Sequence, residues 1–468
     1  MEIKGSVLMS LASTMPVADE PGLKSARSRI AVALILSTIV LVVLDGAIAN
    51  VALPSIALSL QADAGSTVWV VSAYQLAVLV AILPCGALGE IYGARRVFLA
   101  GVALFTAASA ACALAGNLPV LVVARFAQGL GGGAIMALAM MNLRAVVPER
   151  SLGPIIGVNA MVIAISAAAG PGIAGAILSV TQWPWLFAVN LPLGAIVLIG
   201  GRLLGKMERA DRPLNTRALL LNTLMFILFF CGTERIATAP VTGVALIAAA
   251  LACLAALLRL ERGSRTPIIP TDLLAEPAFR VAVIASVCCF SGQMLSYIAL
   301  PFYLQHSYRM SPVLAGLYMM PWPIATAIIA PISGRLANRV KTAWLCATGG
   351  ALLALGLLII GFAPSDPHAI AFLTGTVISG FGFGLFQTPN NRILLLSAPK
   401  ARSGAAGAMQ GTARLLGQTL GGISMSIIFT LLPISIALET AILTASACAA
   451  VASVVSLSRG RYEVAGKA

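Results

Sequence analysis

Two ionisable side chains lie inside long apolar stretches of this 468-residue chain. Asp45 falls in an apolar run that begins at Ile30, and Arg125 falls in another that begins at Leu118. A carboxylate among apolar residues is costly as an isolated ion, so it is a candidate for taking up a proton or holding a cation. A guanidinium stays charged, so Arg125 can supply only a fixed positive charge. The two residues therefore indicate proton-linked electrostatics and no bond-breaking chemistry.

Other polar residues in apolar stretches are weaker candidates. Arg414 is a second basic residue inside an apolar stretch, and Glu439 is expected near the end of a helix, at a membrane interface. Polar and amphipathic side chains that should face the centre of a helical bundle predict a cavity. They are Asn50, Tyr74, Gln75, Gln293, Tyr297, Trp322, Gln387 and Asn391, together with Arg414. Each could equally serve as an ordinary hydrogen-bonding contact between helices.

Catalysis and cofactor binding find no support in the residue pattern. The chain shows no nucleophile paired with a base, no cluster of metal ligands and no GxxxxGK[ST] phosphate loop. Its eight cysteines all lie in apolar segments without CxxC spacing, so neither a disulfide framework nor a zinc site is predicted. We therefore expect no enzyme activity, no metal and no cofactor.

Composition identifies the elements that must hold Asp45 and Arg125. Hydrophobic residues make up 59% of the chain and charged residues only 10%, whereas a soluble domain carries roughly a quarter charged residues. Apolar runs of about 20 residues, the length of a membrane-spanning helix, recur from Ile30 to Leu457. The chain is therefore predicted to be an all-α polytopic membrane protein with the lipid bilayer as its main partner.

The apolar runs predict fourteen transmembrane helices. Their bounds are 30–53, 68–88, 97–115, 118–143, 153–180, 185–204, 217–234, 241–258, 281–305, 312–334, 342–363, 369–391, 403–431 and 434–456. The predicted domains are a tail over 1–29, a six-helix half over 30–205, two extra helices within 206–265, a second six-helix half over 266–458 and a tail over 459–468.

The distribution of positive charge predicts the orientation of the chain. The formal net charge is +14, and 26 of the 30 Lys and Arg residues fall in the two tails and in the loops that follow even-numbered helices. Only Arg235 and Arg309 fall on the other side. Basic loops stay in the cytoplasm, so both termini are expected there. The positive charge is thus a topology signal, and nucleic acid is not predicted as a partner.

An internal repeat relates the two six-helix halves. Ala52-Leu53-Pro54 in helix 1 recurs as Ala299-Leu300-Pro301 in helix 9, 247 residues later. The same offset relates Gly170 to Gly417 and Gly175 to Gly422, and Gly86 matches Gly334 at an offset of 248. Parallel repeats of six helices are typical of transporters whose binding site lies between the halves near the bilayer midplane.

Four sequence motifs stand in order on these helices. LDGAIANVALP begins at Leu44 in helix 1, GALGEIYGARR begins at Gly86 after helix 2, and Arg125-Phe-Ala-Gln128-Gly129 lies in helix 4. AAAGPGIAG begins at Ala167 in helix 5. Later segments extend the pattern into the second half, namely LPFYLQ from Leu300, GFGLFQTPNN from Gly382 and GTARLLGQTLGG from Gly411.

From Ile30 to Leu457 these motifs resemble the fourteen-helix drug:proton antiporter branch of the major facilitator superfamily, and they look closest to its methyl viologen and quaternary ammonium resistance subgroup. The chain departs from the usual pattern at Glu90, Ile91 and Ala94, and at Ser166 and Ala174. The resemblance implies the major facilitator fold and alternating access. It also implies that Asp45 carries the proton or the substrate cation and that Arg125 assists coupling.

The same resemblance implies a gate at each end of the bundle. Gly170, Pro171 and Gly175 are expected to form the close-packing, bending part of an outward gate, because small residues let helices approach and Pro removes a backbone hydrogen bond. Glu90, Arg95 and Arg96 could form an ion-pair latch at the cytoplasmic mouth. The alternatives are plain helix packing for the first group and a pure topology signal for the two arginines.

The leading hypothesis is a monomeric proton-coupled exporter of small lipophilic cations in a bacterial inner membrane. A substrate cation would neutralise Asp45 and be released outside when a proton replaces it. The alternatives are a proton-coupled transporter of a metabolite such as a sugar, amino acid or siderophore, and a membrane receptor that only binds. Exclusion of a fluorescent lipophilic cation by energised cells would separate the first two, and any demonstrated flux would remove the third.

Overall fold

The computed structural model describes residues 26–147, 149–205, 215–236, 238–262, 271–362, 370–396 and 403–459. Within these ranges the chain is helical and contains no strand. Most of the two predicted tails, residues 1–25 and 460–468, lies outside the described residues. The same holds for several basic residues used for the orientation, Lys206 among them.

The long helices are numbered α1 to α14 in chain order. In the first half they are α1 Ala26–Ser59, α2 Trp69–Tyr92, α3 Ala94–Ala113, α4 Leu118–Val146, α5 Glu149–Val180 and α6 Asn190–Gly200. Between the halves lie α7 Thr216–Arg235 and α8 Pro240–Leu260. The second half contains α9 Pro277–Phe302, α10 (Pro312–Met319 and Pro321–Leu336, interrupted at Met320), α11 Thr342–Gly361, α12 Ile370–Leu396, α13 Ser403–Leu431 and α14 Ile434–Ser458.

Every predicted span coincides with one of these helices. Among the described residues, twelve helices have the length and apolar composition needed to cross a membrane. The helices α5 and α13 are not among the twelve, so the count of fourteen spans stays a prediction. The all-α polytopic fold itself is confirmed.

Glycine contacts show that the two halves repeat the same packing. A Cβ added to Gly129 of α4 would collide with the Tyr74 carbonyl of α2, and one added to Gly380 of α12 would collide with the Trp322 carbonyl of α10. Trp322 follows Tyr74 by 248 residues and Gly380 follows Gly129 by 251. Small residues therefore bring equivalent helix backbones together in each half.

The contacts revise the residue alignment of α5 with α13 in the repeat. Gly170 of α5 packs against Ala47 of α1, whereas Gly421 of α13 packs against Met294 of α9, which follows Ala47 by 247 residues. Gly170 is therefore equivalent to Gly421 and not to Gly417, and at the same offset Gly175 is equivalent to Ser426 and not to Gly422. The offset grows from 247 to 251 along the chain, because the second half is slightly longer between equivalent helices.

The halves meet through one end of the bundle. We call the end that carries the Arg95–Arg96 turn between α2 and α3 the basic end. At the opposite end α5 packs on α10, where a Cβ on Gly175 would lie 3.0 Å from the Val313 Cα, and α13 packs on α2, where Gly422 contacts Ser72. One hydrophobic core joins both halves there, from Ile48 and Leu53 to Leu295 and Phe302.

Toward the basic end the two halves build separate cores. One consists almost entirely of first-half residues and α7, and the other groups Phe279, Leu394 and Ala406 of the second half. No atom comes within 4 Å of a Cβ added to Gly86 in the basic part of α2. The molecule is therefore closed at the end remote from the basic side and parted toward the basic end.

Arg459 corrects the predicted start of the C-terminal tail. Its side chain is wholly buried beyond the end of α14. The guanidinium donates to the Asn390 side-chain oxygen at 3.0 Å and to the Thr342 carbonyl at 3.2 Å. Asn390 in turn donates to the Ser286 hydroxyl at 2.7 Å. The arginine therefore ties α14 to α11, α12 and α9 and belongs to the helical bundle.

The orientation remains a prediction with a direct test. Because 26 of the 30 basic residues fall on one side, we expect a reporter fused after Ala468 to be active as a cytoplasmic and not as a periplasmic fusion. A paired alkaline phosphatase and green fluorescent protein fusion measures both outcomes. A fusion active only in the periplasm would reverse the assignment.

Candidate functional site

The two charged residues that the sequence singles out meet inside the first half. The Asp45 carboxylate on α1 and the Arg125 guanidinium on α4 form an ion pair with 2.5 Å between Oδ2 and Nη1. Their side chains are 1% and 0% exposed. Loss of one partner of an ion pair this deeply buried strongly destabilises the folded protein, because the other charge is then left without compensation.

Neutral side chains complete the hydrogen bonding of the carboxylate. Its Oδ1 accepts from the Gln128 amide at 2.9 Å and from the Asn190 amide at 2.8 Å. The Ser109 hydroxyl of α3 accepts a further bond from Gln128 at 2.8 Å. Four helices of the first half thus converge on Asp45, and each of these side chains is buried.

Arg125 is held by contacts of its own. Its Nε donates to the Val70 carbonyl at 2.9 Å, and its Nη1 also donates to the Gln128 side-chain oxygen at 2.6 Å. The guanidinium lies over the Tyr74 ring at 4.2 Å and near the Phe187 ring at 5.3 Å, within the range of a cation–π interaction. Its Nη2 is buried and has no hydrogen-bond partner among the described residues.

The local sequence of α4 explains this geometry. The Asn117 side chain caps the helix by accepting from the Val120 N–H, so α4 begins at Leu118. Arg125 and Gln128 are three residues apart and therefore share a helix face. Gly129 lets this face approach α2 so closely that Arg125 reaches the Val70 carbonyl.

Among the described residues, the second half has no equivalent ion pair. At the offsets of the repeat, Gly292 takes the position of Asp45, and Thr376 and Ser379 take those of Arg125 and Gln128. Thr376 bonds only to the Phe372 carbonyl of its own helix. The two halves share a backbone arrangement, but among the described residues only the first carries a buried ion pair.

The contacts of Asp45 bear on its expected role. The residue was predicted to alternate between taking up a proton and being neutralised by a substrate cation. Its two oxygens instead accept three hydrogen bonds within the first half. In this conformation the carboxylate is therefore not available to a substrate cation.

The predicted cavity residues divide into two groups. Tyr74 belongs to the charged site, and Asn50 bonds to the Gly46 carbonyl of its own helix at 2.9 Å. Gln75 is buried on α2. In the second half, the rings of Tyr297 and Trp322 make an edge contact at 5.2 Å. Gln387 and Asn391 are half-buried on α12.

Three polar atoms predicted to line the cavity have no partner among the described residues. They are Oε1 of Gln293, Nε1 of Trp322 and Nε of Arg414, and each is buried. A buried polar group without a partner carries a desolvation penalty that a ligand can relieve. These atoms are the best candidates in the second half for direct contact with a substrate.

The predicted gate residues lie in two different settings. Gly170 packs on Ala47 of α1, while Pro171 and Gly175 pack on α10, so this motif forms the seam that closes the end remote from the basic side. Glu90 and Arg96 are exposed at the basic end and Arg95 is half-buried. The first group is thus a contact between the halves in this conformation.

Sequence reasoning missed three residues of the charged site. Gln128 stood in a recognised motif without an assigned contact, and Ser109 and Asn190 were not selected. Asn190 could have been found as a lone amide at the start of an apolar segment, because polar groups in membrane spans need a partner. Nothing in the sequence distinguishes Ser109 from other hydroxyls that bond within their own helix.

A bundle of apolar helices arranged as two repeated halves, with one buried ion pair, defines a polytopic transporter. The model of the family described as Major Facilitator Superfamily matches residues 35–422. The chain is 41% identical to the Uncharacterized transporter YebQ of Escherichia coli over 87% of this chain and 90% of that protein. It is 33% identical to the Multidrug resistance protein Stp of Mycobacterium tuberculosis, over 81% and 72% respectively.

A solved structure of a POT family transporter in complex with a thioalcohol-conjugated peptide shares the fold. The TM-score is 0.70 and the identity 15%, with 92% of this chain and 96% of that chain covered. The chain therefore belongs to the Major Facilitator Superfamily, and it is a membrane-embedded transporter of small molecules.

Proposed function

We propose that this transporter is a proton-coupled antiporter that exports lipophilic cationic compounds by alternating access. The observation that carries the proposal is the wholly buried Asp45–Arg125 pair. Asp45 is the only acid of the described residues that is buried at the centre of a half, and it has a fixed cation as its partner. Similarity to a multidrug resistance protein supports the choice of cargo.

Protonation would change the charge of the site from zero to +1. A proton on Asp45 removes the compensation of Arg125, and an uncompensated buried charge is destabilising. The cost falls if the helices move and water or a new partner reaches the guanidinium. The proton on Asp45 therefore favours a different arrangement of α1 and α4 from the one described above.

A short path connects this site to the seam between the halves. Ala47 follows Asp45 on α1 by two residues and packs against Gly170 of α5. At the next residue of α5, the Pro171 carbonyl meets Gly316 of α10. A shift of α1 on protonation would thus act on the contact that closes the end remote from the basic side.

The proposal is tested with purified protein in liposomes. An imposed pH gradient, with no nucleotide present, should drive accumulation of a fluorescent lipophilic cation. Absence of uptake into sealed liposomes that contain correctly inserted transporter would contradict proton coupling.

Arg95 and Arg96 are proposed to close the basic end in the opposite conformation. Replacing both with Ala should lower the transport rate while leaving the amount of folded protein in the membrane unchanged, because the latch is needed only for one state. Efflux from energised cells, normalised to membrane protein, measures the effect. An Arg→Lys pair at the same positions keeps the charges and controls for insertion. Full activity of the Ala pair would leave them as topology signals only.

A metabolite as the cargo is the alternative, and Arg414 favours it. Its half-buried guanidinium has a buried Nε without a partner, whereas Asp45 is committed to Arg125. A cation that has no ion pair among the described residues, near the contact of α13 with α2, suits an anionic or polar substrate. Competition between a lipophilic cation and organic anions for transport separates the two cargo classes.

A further inference from the structure

A cavity of about 510 Å³ lies away from the charged site, at the end remote from the basic side. It opens between α7 and α8 on one side and the meeting point of α2 and α13 on the other. We call it the seam pocket. Its wall consists of Gly65, Ser66, Trp69, Cys231, Glu234, Arg235, Thr238, Thr242, Leu246, Ser426 and Thr430.

Glu234 gives the seam pocket an unsatisfied negative group. Its Oε2 accepts a hydrogen bond from the Ser426 hydroxyl at 3.1 Å, while its Oε1 is buried and has no hydrogen-bond partner. Arg235, the next residue, points into solvent and forms no ion pair with it within 4.0 Å. A carboxylate oxygen in this state is stabilised by any cation that reaches it.

Trp69 supplies an aromatic face beside this carboxylate. The indole is half-buried and packs edge-on against Phe230 with ring centroids 4.8 Å apart, which fixes its orientation. Leu246 and Cys231 add apolar surface. Tryptophan is the most effective aromatic partner of a cation, more so where water is excluded.

We propose that the seam pocket is a binding site for an organic monocation with an apolar body. The carboxylate of Glu234 neutralises the charge, and Trp69 with Leu246 contacts the body of the ligand. The volume lies within the roughly 300–1,000 Å³ of small-molecule sites. The choice of probe cation rests on the proposed function, whereas the site itself is inferred from the residues that line the pocket.

Other ligand classes fit this lining less well. A calcium ion needs about six to eight oxygen ligands, and among the described lining residues only one carboxylate is present. A sugar needs several paired polar partners, whereas the hydroxyls of Thr242, Thr430 and Ser66 lie at the exposed rim. An anion would be repelled by the carboxylate of Glu234.

The pocket also assigns a function to the two extra helices, α7 and α8. Glu234 of α7 bonds to Ser426 of α13 in the second half, and Trp69 of α2 belongs to the first half. A ligand bound here contacts both halves where they meet. The site is therefore complete only while α2 and α13 are together, so its ligand should stabilise the conformation described above.

Binding of tetraphenylphosphonium to the purified full-length transporter tests the proposal. Its permanent charge and apolar rings match the inferred ligand, and triphenylphosphine oxide is an uncharged probe of similar shape. Glu234→Gln should weaken binding of the cation by about tenfold or more, because a buried charge pair is lost. Glu439→Gln, the same change at an exposed acid on α14, should leave binding unchanged. Arg235→Gln should strengthen it, because a repulsive charge at the rim is removed.

Labelling of Cys231 locates the bound probe. The thiol lines the pocket, so tetraphenylphosphonium should slow its alkylation, while alkylation of Cys85 in the basic part of α2, away from the pocket, should not slow. Unchanged binding in Glu234→Gln, or unchanged Cys231 labelling with the probe bound, would overturn the site. Equal binding of the uncharged probe would also overturn it.

The double variant Asp45→Asn/Arg125→Met separates this proposal from the proposed function. It buries no uncompensated charge that would displace α1 and α4, so it should bind the cation as the wild type does, even where transport is lost. If binding depends on Glu234 but the cation is not exported, the binding site is supported and the export function is contradicted. If the cation is exported but its binding does not depend on Glu234, the export function is supported and the binding site is contradicted.

Discussion

Asp45→Asn should abolish accumulation of substrate against its gradient in liposomes with an imposed pH gradient. Asparagine has nearly the same size and can still hydrogen-bond to Gln128 and Asn190, but it cannot exchange a proton. The variant should also lose stability, by about 3–5 kcal/mol, because Arg125 is left as an uncompensated charge in a wholly buried site. If downhill substrate flux survives, the role of Asp45 is to carry the proton. If all flux is lost, the substitution has impaired substrate binding or the fold.

A second substitution separates coupling from stability. Arg125→Met keeps much of the volume of the side chain and removes its charge, so the double variant with Asp45→Asn buries no ion. We expect thermal unfolding in detergent to return close to that of the wild type while proton-driven transport stays absent. Asp63→Asn is the matched control, since Asp63 is exposed and asparagine caps a helix equally well. Normal accumulation by Asp45→Asn would exclude this residue as the essential proton carrier.

Gly175→Val should trap the transporter with the end remote from the basic side open. A Cβ at this position would already lie 3.0 Å from the Val313 Cα and 3.2 Å from the Pro312 carbonyl oxygen, and valine adds two further methyl groups. The backbone of α10 cannot yield as a flexible side chain would, so α5 and α10 must separate. Transport should fall by an order of magnitude or more, because the cycle needs both conformations.

Alkylation of Cys85 reports the conformation directly. This thiol is half-buried in the basic part of α2, beside the unpacked Gly86. In Gly175→Val the basic end should be closed more of the time, so labelling of Cys85 should slow. Gly116→Val is the control, since no atom lies within 4 Å of a Cβ there. Wild-type transport together with wild-type labelling in Gly175→Val would show that this seam does not open during the cycle.

The helical fold and its repeat followed from the sequence alone, since both rest on local properties. Each apolar run is long enough to span a membrane, and a backbone in lipid must satisfy its hydrogen bonds within the segment. Asp45 and Arg125 stood out for the same reason, because each is a charge in an apolar run. Their direct contact had not been predicted, since 80 residues separate them along the chain.

Other features depend on how the helices pack. Asn190 reaches Asp45 across 145 residues, Arg459 joins the bundle through Asn390 across 69, and Glu234 meets Ser426 across 192. No periodicity within a helix encodes such pairs, because each depends on the crossing geometry of helices from different parts of the chain. By itself, then, the sequence determined which residues lie in the membrane and which of them carry charge. Only the tertiary structure decided that Asp45 is neutralised by Arg125 within one half and that Glu234 has no ion-pair partner among the described residues at the seam, because the energy of a buried charge depends on its neighbours in space.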